Sequence, residues 1–523
     1  MVVAIAVVAA IGLGRLLEPS DLYDNEQPLT ISYTADMLIN GNWLVYRGTG
    51  GELLTKPPLF NWVAAPFVAA AGFGAEWAHK APSWLGALAT FAVVVAMGRR
   101  VFAAMVETGG PAAALRRTAG DGDGYPYAFV GDWRALAWVA GLAWAASYPA
   151  IKLGYLARPD GVLVACLAAA WWVGTMVVDA QDESLDREGR ASRRSLRLPP
   201  SALTLLFWLA VGLAALAKGL PALIPVIYVV LLGVSRSLSR GERLSMGRAW
   251  RAAKAWGVPW GLPLALAMIG AWLIAAELRQ PGLVWGRLIV DEVGGKASSG
   301  GWWTPLVGVA MSPGLYVARY LPWSVLSLLG IGHIIWHWRG WRAWVAHPLW
   351  PAALWVGVVI VFFVPAADRG DYLAPAMPAG AVLAAYWLGH HLPALRLQPI
   401  AAIGAAAVVG LAVIAWRHAI AAPYGEHAHE FAAEVRAIVG DGPIVLDRTG
   451  YNPLPTLLGL HPGTLTPDLS AVPADAWFVA PLHDDPRVDP VAFSLPISEV
   501  DGKRAAPLAL YPPAAPRPTT VTP

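Results

Sequence analysis

Long apolar runs separated by short polar stretches dominate the chain. Runs over 2–17, 81–98, 135–151, 159–178, 202–217, 219–235, 257–276, 314–335, 347–365, 373–389 and 398–416 approach the roughly 20 residues that a helix needs to cross a bilayer, and each reads as a span. Residues 59–74 are apolar too, but Pro66 and glycines interrupt them, so they read as an interfacial or re-entrant helix. After Trp416 the pattern changes. A helix over His427–Val439, a strand over Pro443–Asp447, a helix over Leu454–Leu460 and a strand over Ala476–Val479 predict a small α/β unit. The Pro-rich stretch from Ala505 to Pro523 is expected to be disordered. The predicted architecture is an α-helical polytopic membrane protein of about 11–13 transmembrane helices. Residues 1–418 form the membrane domain, 419–504 a small extracytoplasmic α/β domain, and 505–523 a tail.

Charge sets the expected orientation. Arg99, Arg100, Arg116, Arg117 and Arg134, then Arg187 to Arg197, then Arg236 to Lys254, then Arg339, Arg342 and Arg396 fall in alternate loops. By the positive-inside rule those loops are cytoplasmic. The loops between them, holding Asp24 to Lys80, Lys152 to Arg158, Lys218, Arg279 to Lys296 and Asp368 to Asp371, then face outward. The first run has no basic residue before it and no small-x-small site after it, so it is expected to remain as a span.

Composition agrees. The chain is 57% hydrophobic and only 14% charged, with 27 Trp, against about 25% charged residues in soluble domains. A net charge of +3 gives no reason to expect a nucleic-acid partner. Cys166 stands alone, which excludes an intrachain disulfide framework and a cysteine metal site. Only seven lysines occur, so each outward one stands out.

The densest candidate chemistry follows the first run. Asp24-Asn25-Glu26-Gln27 puts two acids at the membrane surface. They suit either a carboxylate positioned to accept a proton from an acceptor hydroxyl or an N-cap for the helix starting near Pro28. Lys56 precedes Pro57 and Pro58, which fix the backbone at a helix start and suit a phosphate site; the plainer alternative is a snorkelling lysine. Tyr155-Leu156-Ala157-Arg158-Pro159-Asp160 repeats the pairing of charges at the head of a span, where an Asp cap and an interfacial Arg are the plain reading. Lys218 sits in a tight outer turn, equally suited to a phosphate or to snorkelling, and Asp368-Arg369-Gly370-Asp371-Tyr372 is a further outer knot, its RGD string read as coincidence. The Gly/Ser-rich loop 277–312 suits a mobile lid or a plain solvent loop. Glu426-His427-Ala428-His429-Glu430 carries two histidines that diverge at i, i+2 on a helix, a poor metal pair. Asp121-Gly122-Asp123-Gly124 opens like a calcium loop but has Pro126 where that loop needs glycine.

Taken together, Asp24-Asn25-Glu26-Gln27, Asp36-Met37-Leu38, Gly41-Asn42-Trp43 and Lys56-Pro57-Pro58-Leu59 resemble the first outer loop of the GT-C membrane glycosyltransferases. The resemblance is to the aminoarabinose transferase and protein O-mannosyltransferase group, and covers roughly residues 1–390. Weaker matches are Ala157 to Asp160, Ala217-Lys218-Gly219, Leu321-Pro322-Trp323, and Arg369 with Tyr372 to Pro375. The resemblance implies an enzyme that moves a sugar from a polyprenyl-phosphate donor to a lipid, glycan or protein acceptor on the outer face, with inversion, in a bacterial cell membrane. By position it makes Glu26 the key acid with Asp24 beside it, and Lys56 the ligand of the donor phosphate. Arg158, Lys218 and Arg369 would converge on the same phosphate, with Asp160 in support. Glu26 replaces the group's aspartate, Gln27 its following acid, and Leu29 an arginine. No cofactor is implied, and a divalent metal is compatible but not required if these cations neutralise the phosphate. The competing readings are a transporter or lipid flippase, whose charges would sit near the bilayer midplane, and a non-catalytic assembly protein working through its C-terminal domain.

Overall fold

The computed structural model describes residues 16, 22, 26–48, 51, 53–107, 133–186, 199–242, 245–294, 304–338, 340–366, 370–391, 427–446, 454–460, 475–481, 490–495, 499–500, 503–504 and 507–513. The expected spans 2–17 and 398–416, and the site candidates Asp24 and Arg369, lie outside them.

The helices of the membrane domain are α1 (Gln27–Asn40), α2 (Leu59–Ala71), α3 (Glu76–Glu107), α4 (Trp133–Ala145), α5 (Tyr148–Leu153), α6 (Asp160–Asp186), α7 (Pro200–Lys218), α8 (Leu223–Ser239), α9 (Met246–Ala255), α10 (Val258–Arg279), α11 (Leu283–Gly294), α12 (Thr304–Arg319), α13 (Trp323–His337), α14 (Trp341–Ala346), α15 (Trp350–Phe362) and α16 (Met377–His391). Among the described residues five helices are long and apolar enough to cross a membrane: Glu76–Met105, Asp160–Ala180, Pro200–Lys218, Leu220–Ser239 and Val258–Arg279. Residues 59–74 give the short apolar helix α2, as the interrupted run implied. Two expectations are corrected. The run 314–335 is not one straight span: α12 and α13 meet at a bend of 117°, where Pro322 follows Arg319 to Leu321. Nor are the described residues of 277–312 an open loop, because α10 continues to Arg279, the π-helical α11 follows after Gly282, and α12 begins at Thr304.

Small residues set how closely the spans approach. Helix association in lipid relies on close backbone packing rather than on apolar burial. A Cβ added to Gly86 of α3 would lie 2.6 Å from the Gly161 carbonyl oxygen, and one added to Gly161 of α6 would lie 2.7 Å from the Leu153 oxygen and 3.1 Å from Ser83 Cα. Neither neighbour is a flexible side-chain end. Gly161 follows Asp160 directly, so this contact also fixes the head of α6 and the charges there. Gly161→Val is expected to cost about 1–3 kcal/mol as overpacking, read as a lower thermal midpoint of the purified protein, with Gly233→Ala, in open space, as the control.

The C-terminal unit has a four-stranded sheet in the order β1-β2-β6-β3, with β1 Ile444–Leu446, β2 Trp477–Pro481, β3 Ala492–Phe493 and β6 Leu508–Tyr511; β4 (Glu499–Val500) and β5 (Lys503–Arg504) pair separately. β1 and β2 run parallel, and β6 is antiparallel to both β2 and β3. A helix over 427–439 covers the sheet through Phe431 and Val435, which pack with Leu446, Leu458 and Leu510. The expected disordered tail is therefore corrected at its start: Leu508–Tyr511 is a fully buried inner strand. Among the described residues the unit touches the membrane domain at several points. Leu457 packs against the cluster that includes Ile31 and Phe60, and His429 Nε2 lies 2.7 Å from Glu76 Oε1. That contact accounts for His429, and among the described residues no group of three or more His, Cys, Asp or Glu is placed to hold a metal.

Candidate active site at one membrane face

Glu26 ends the approach to α1, where it occupies the N-cap position without making a side-chain cap bond. Its backbone oxygen accepts from Thr30 N at 3.1 Å and from Thr30 Oγ1 at 2.9 Å. The carboxylate is thus left to other work, and it pairs with the ammonium of Lys56. The capping alternative therefore does not describe the Glu26 side chain. Gln27, wholly buried, accepts the Ala157 N–H at 2.8 Å through Oε1. A neutral amide serves that role, which an acid would fill only at a desolvation cost.

Lys56 is held from behind. The Tyr46 hydroxyl donates to its carbonyl at 2.6 Å, Pro57 and Pro58 follow, and α2 begins at Leu59. Asn61 of α2 donates to Thr30 O at 2.8 Å and Thr34 Oγ1 at 2.9 Å, tying α2 to α1. The loop between these helices is pinned by buried Asp36, which accepts the Arg47 N–H at 2.7 Å and the Asn42 amide at 3.1 Å. It is docked on the spans by Trp272 of α10, whose indole donates to Leu44 O at 3.1 Å. Glu26 and Lys56 line a small, partly open cleft with Leu29, Thr30, Tyr33, Asn61 and Pro159. Leu29 lies on its wall, so the arginine of the resembling group has an apolar replacement there.

Asp160, the first residue of α6, and Lys218, the last of α7, form an ion pair. Gly219 follows with φ of +73°, which ends α7 immediately beyond the lysine. Arg158 Nε is 3.3 Å from Asp160 Oδ2, and Ser83 Oγ of α3 holds this loop by reaching Leu156 O at 2.6 Å and Arg158 O at 3.0 Å. Arg158 Nε and Asp160 Oδ2 are buried without a hydrogen-bond partner among the described residues. Lys218 Nζ also lies 4.3 Å from the centre of the Tyr372 ring, a favourable cation–π contact. Next to Tyr372, Asp371 accepts from Lys152 at 2.8 Å. The structure thus brings Glu26, Lys56, Arg158, Asp160 and Lys218 into one electrostatic cluster. The sequence reading missed the supports: Gln27, Tyr46, Asn61 and Tyr372. Tyr372 had a visible signal, an aromatic in the charged outer knot.

Among the described residues, Lys56, Arg158, Lys218 and Lys152 face the carboxylates of Glu26, Asp160 and Asp371, a net of +1 from four cations and three anions. Burial opposes ionisation of Glu26, but Lys56, Arg158 and Lys218 outweigh it and hold the carboxyl at about 2 rather than 4.5. Burial pulls the Lys56 ammonium below its ordinary value; Glu26 resists this shift and Lys218 reinforces it. For Arg158, burial is outweighed by Asp160, Glu26 and Asp371, which raise it. The site is therefore an ionised carboxylate beside cations with spare positive charge, built at the ends of spans.

No protein-family model matches the chain, and no curated protein matches it. Solved structures do. ArnT from Cupriavidus metallidurans bound to undecaprenyl phosphate aligns over 97% of this chain and 97% of its own, with a TM-score of 0.65 at 14% identity; its apo state gives 0.63 at 15%. The oligosaccharyltransferase of Archaeoglobus fulgidus in complex with zinc and sulfate aligns over 91% of this chain and 68% of its own, at a TM-score of 0.47 and 11% identity. The fold of this chain is that of ArnT, a polytopic helical membrane fold.

Proposed function

We propose that the protein is a membrane glycosyltransferase that moves a sugar from a polyprenyl-phosphate-linked donor to a lipid, glycan or protein acceptor at the outer face of a bacterial inner membrane. The observation that carries this reading is the net-positive cluster of Lys56, Arg158 and Lys218 around the ionised Glu26, at the membrane face of an ArnT fold. ArnT itself was captured with undecaprenyl phosphate. The outward placement rests on the basic loops, which fall at the opposite ends of the spans.

The chemistry follows from these groups. An acceptor hydroxyl or amine attacks the anomeric carbon from the face opposite the phosphate. The bond from that carbon to the phosphate oxygen breaks, and polyprenyl phosphate leaves with the electron pair. The configuration inverts because there is one displacement. The leaving phosphate gains negative charge, which Lys56, Arg158 and Lys218 stabilise. Glu26 accepts the proton that the acceptor loses. While paired with Lys56 it is a weak base. A donor phosphate competing for Lys56 loosens that hold, so the carboxylate gains basicity as the donor arrives.

A transporter would place these charges near the bilayer midplane. Here Asp160 and Lys218 are the terminal residues of their spans, and the bend between α12 and α13 carries Arg319 within 3.9 Å of Asp371, at the same end. The test is reconstitution of the full chain with radiolabelled polyprenyl-phosphate sugars and a membrane extract as acceptor source. Transfer of label with release of polyprenyl phosphate is expected. Binding of the donor with label translocated but never transferred would favour the flippase reading.

A further inference from the structure

The end of the membrane domain opposite the site carries a second organised feature, the helix α9 (Met246–Ala255). It joins two spans. α8 leaves the site region just after Lys218 and ends at Ser239, and α10 returns from Val258. α9 therefore lies at the level where these spans leave the bilayer. Its sequence, Met-Gly-Arg-Ala-Trp-Arg-Ala-Ala-Lys-Ala, places a base at every third residue (Arg248, Arg251, Lys254) and no acid. Met246 is 85% exposed and Trp250 55% exposed, and Lys254 Nζ sits 5.3 Å from the Trp250 ring.

The C-terminal end of α9 is anchored on the neighbouring spans. Trp256, just beyond the helix, is buried against Phe207 of α7, with ring centroids 5.3 Å apart. Its carbonyl accepts the Trp208 indole N–H at 2.9 Å. Gly257, with φ of +61°, then turns the chain into α10. Ahead of α9, Gly241, with φ of +75°, closes α8, and Arg240 pairs with Glu242 at 2.7 Å. The same membrane end shows the pattern again: Arg342 lies 5.8 Å from the Trp341 ring, with that ring half-exposed, and Arg134 lies 5.2 Å from the Trp133 ring.

We infer that α9 is an anionic-lipid docking helix, seated in the headgroup layer of the leaflet opposite the active site, with Met246 and Trp250 dipping toward the acyl chains, Lys254 at the phosphate headgroups, and a basic sequence that matches their charge. An exposed tryptophan beside a lysine suits that layer, which is apolar on one side and wet and negatively charged on the other. The attraction per base near such a surface amounts to about fivefold in binding and is screened by salt. Trp256 and Gly257 couple the helix to α7 and α10, so lipid contact at this face bears on the two spans that carry Lys218 and the Trp272 anchor.

The test uses the full chain with Met246→Cys in a Cys166→Ser background, labelled with an environment-sensitive fluorophore and reconstituted in nanodiscs. Phosphatidylcholine alone is compared with phosphatidylcholine containing phosphatidylglycerol. Blue-shifted emission in the anionic discs is expected, reversed by high salt in the chain with its bases intact and lost in Arg248→Gln/Arg251→Gln/Lys254→Gln. Water-like emission in both discs would overturn the proposal. So would a blue shift that ignores both lipid charge and salt, because that pattern belongs to an apolar protein contact. The salt titration needs no variant of the basic residues, so a misfolded triple variant leaves the test intact.

Discussion

Glu26→Gln is expected to lower turnover by about a hundredfold or more, the scale of a lost, positioned proton acceptor, while leaving binding of the donor lipid undiminished. The second half of that expectation is the more diagnostic. Glu26 and Lys56 are paired in this structure, so an incoming phosphate must draw Lys56 away from a carboxylate. Glutamine keeps the shape and removes the charge, which frees the lysine. Donor affinity should hold or rise as turnover falls, a split that a merely misfolded protein does not show. Affinity is measured by native mass spectrometry with a polyprenyl phosphate, and turnover with the labelled donor. Equal loss of both would assign Glu26 to binding. Near-normal turnover would remove it from the proton path and leave Asp24 as the acid to examine.

The pH behaviour follows from the same pair. A carboxyl held at about 2 instead of 4.5 stabilises the folded protein above its unfolded pKa, and that contribution disappears as pH falls from the unfolded value toward about 2. Glu26 is already ionised at every pH near neutrality. Raising the pH in that range cannot activate the free enzyme through it, and only the donor's competition for Lys56 changes its basicity.

Much of this was legible in the order of residues. The span from Pro200 to Lys218 is apolar along its length and the helix over 427–439 is periodic, and local pattern suffices for such elements. The acid and lysine of the first outer loop were legible because Pro57, Pro58 and the interfacial setting narrow what Lys56 can do. Pairing was not. Lys218 suited a phosphate and a snorkelling role equally, and its actual ion-pair partner, Asp160, lies 58 residues away, a distance no local pattern crosses. The bend between α12 and α13 was hidden because both arms are apolar, so the hydrophobic run continues through Leu321-Pro322. Leu508–Tyr511 was hidden for the opposite reason: a four-residue strand inside a proline-rich stretch carries less compositional weight than its surroundings, although its neighbours in the sheet bury it completely.

Lys56→Ala is expected to abolish measurable donor binding at concentrations that saturate the natural chain, because the variant also leaves Glu26 facing the phosphate without its partner. The arriving anion would meet a negative carboxylate where a cation had stood, and like charges at close range oppose binding. Lys56→Arg separates charge from geometry. It restores the charge but presents a larger planar fork in a site shaped by Pro57, Tyr46 and Pro159 for a compact ammonium, so partial recovery is expected. The two chains should also differ with pH. Burial lowers the Lys56 ammonium below the usual lysine value, so donor affinity of the free protein should fall on the alkaline side before ordinary lysines titrate. A guanidinium stays charged through that range, so the alkaline loss should vanish in Lys56→Arg even though its affinity is lower throughout. The saturated complex should show little of this limb, because a bound phosphate favours the protonated lysine. Identical alkaline profiles for the two chains would mean that another group, Lys218 first, holds the phosphate, and would move the leaving-group site from the first outer loop to the junction of α6 and α7.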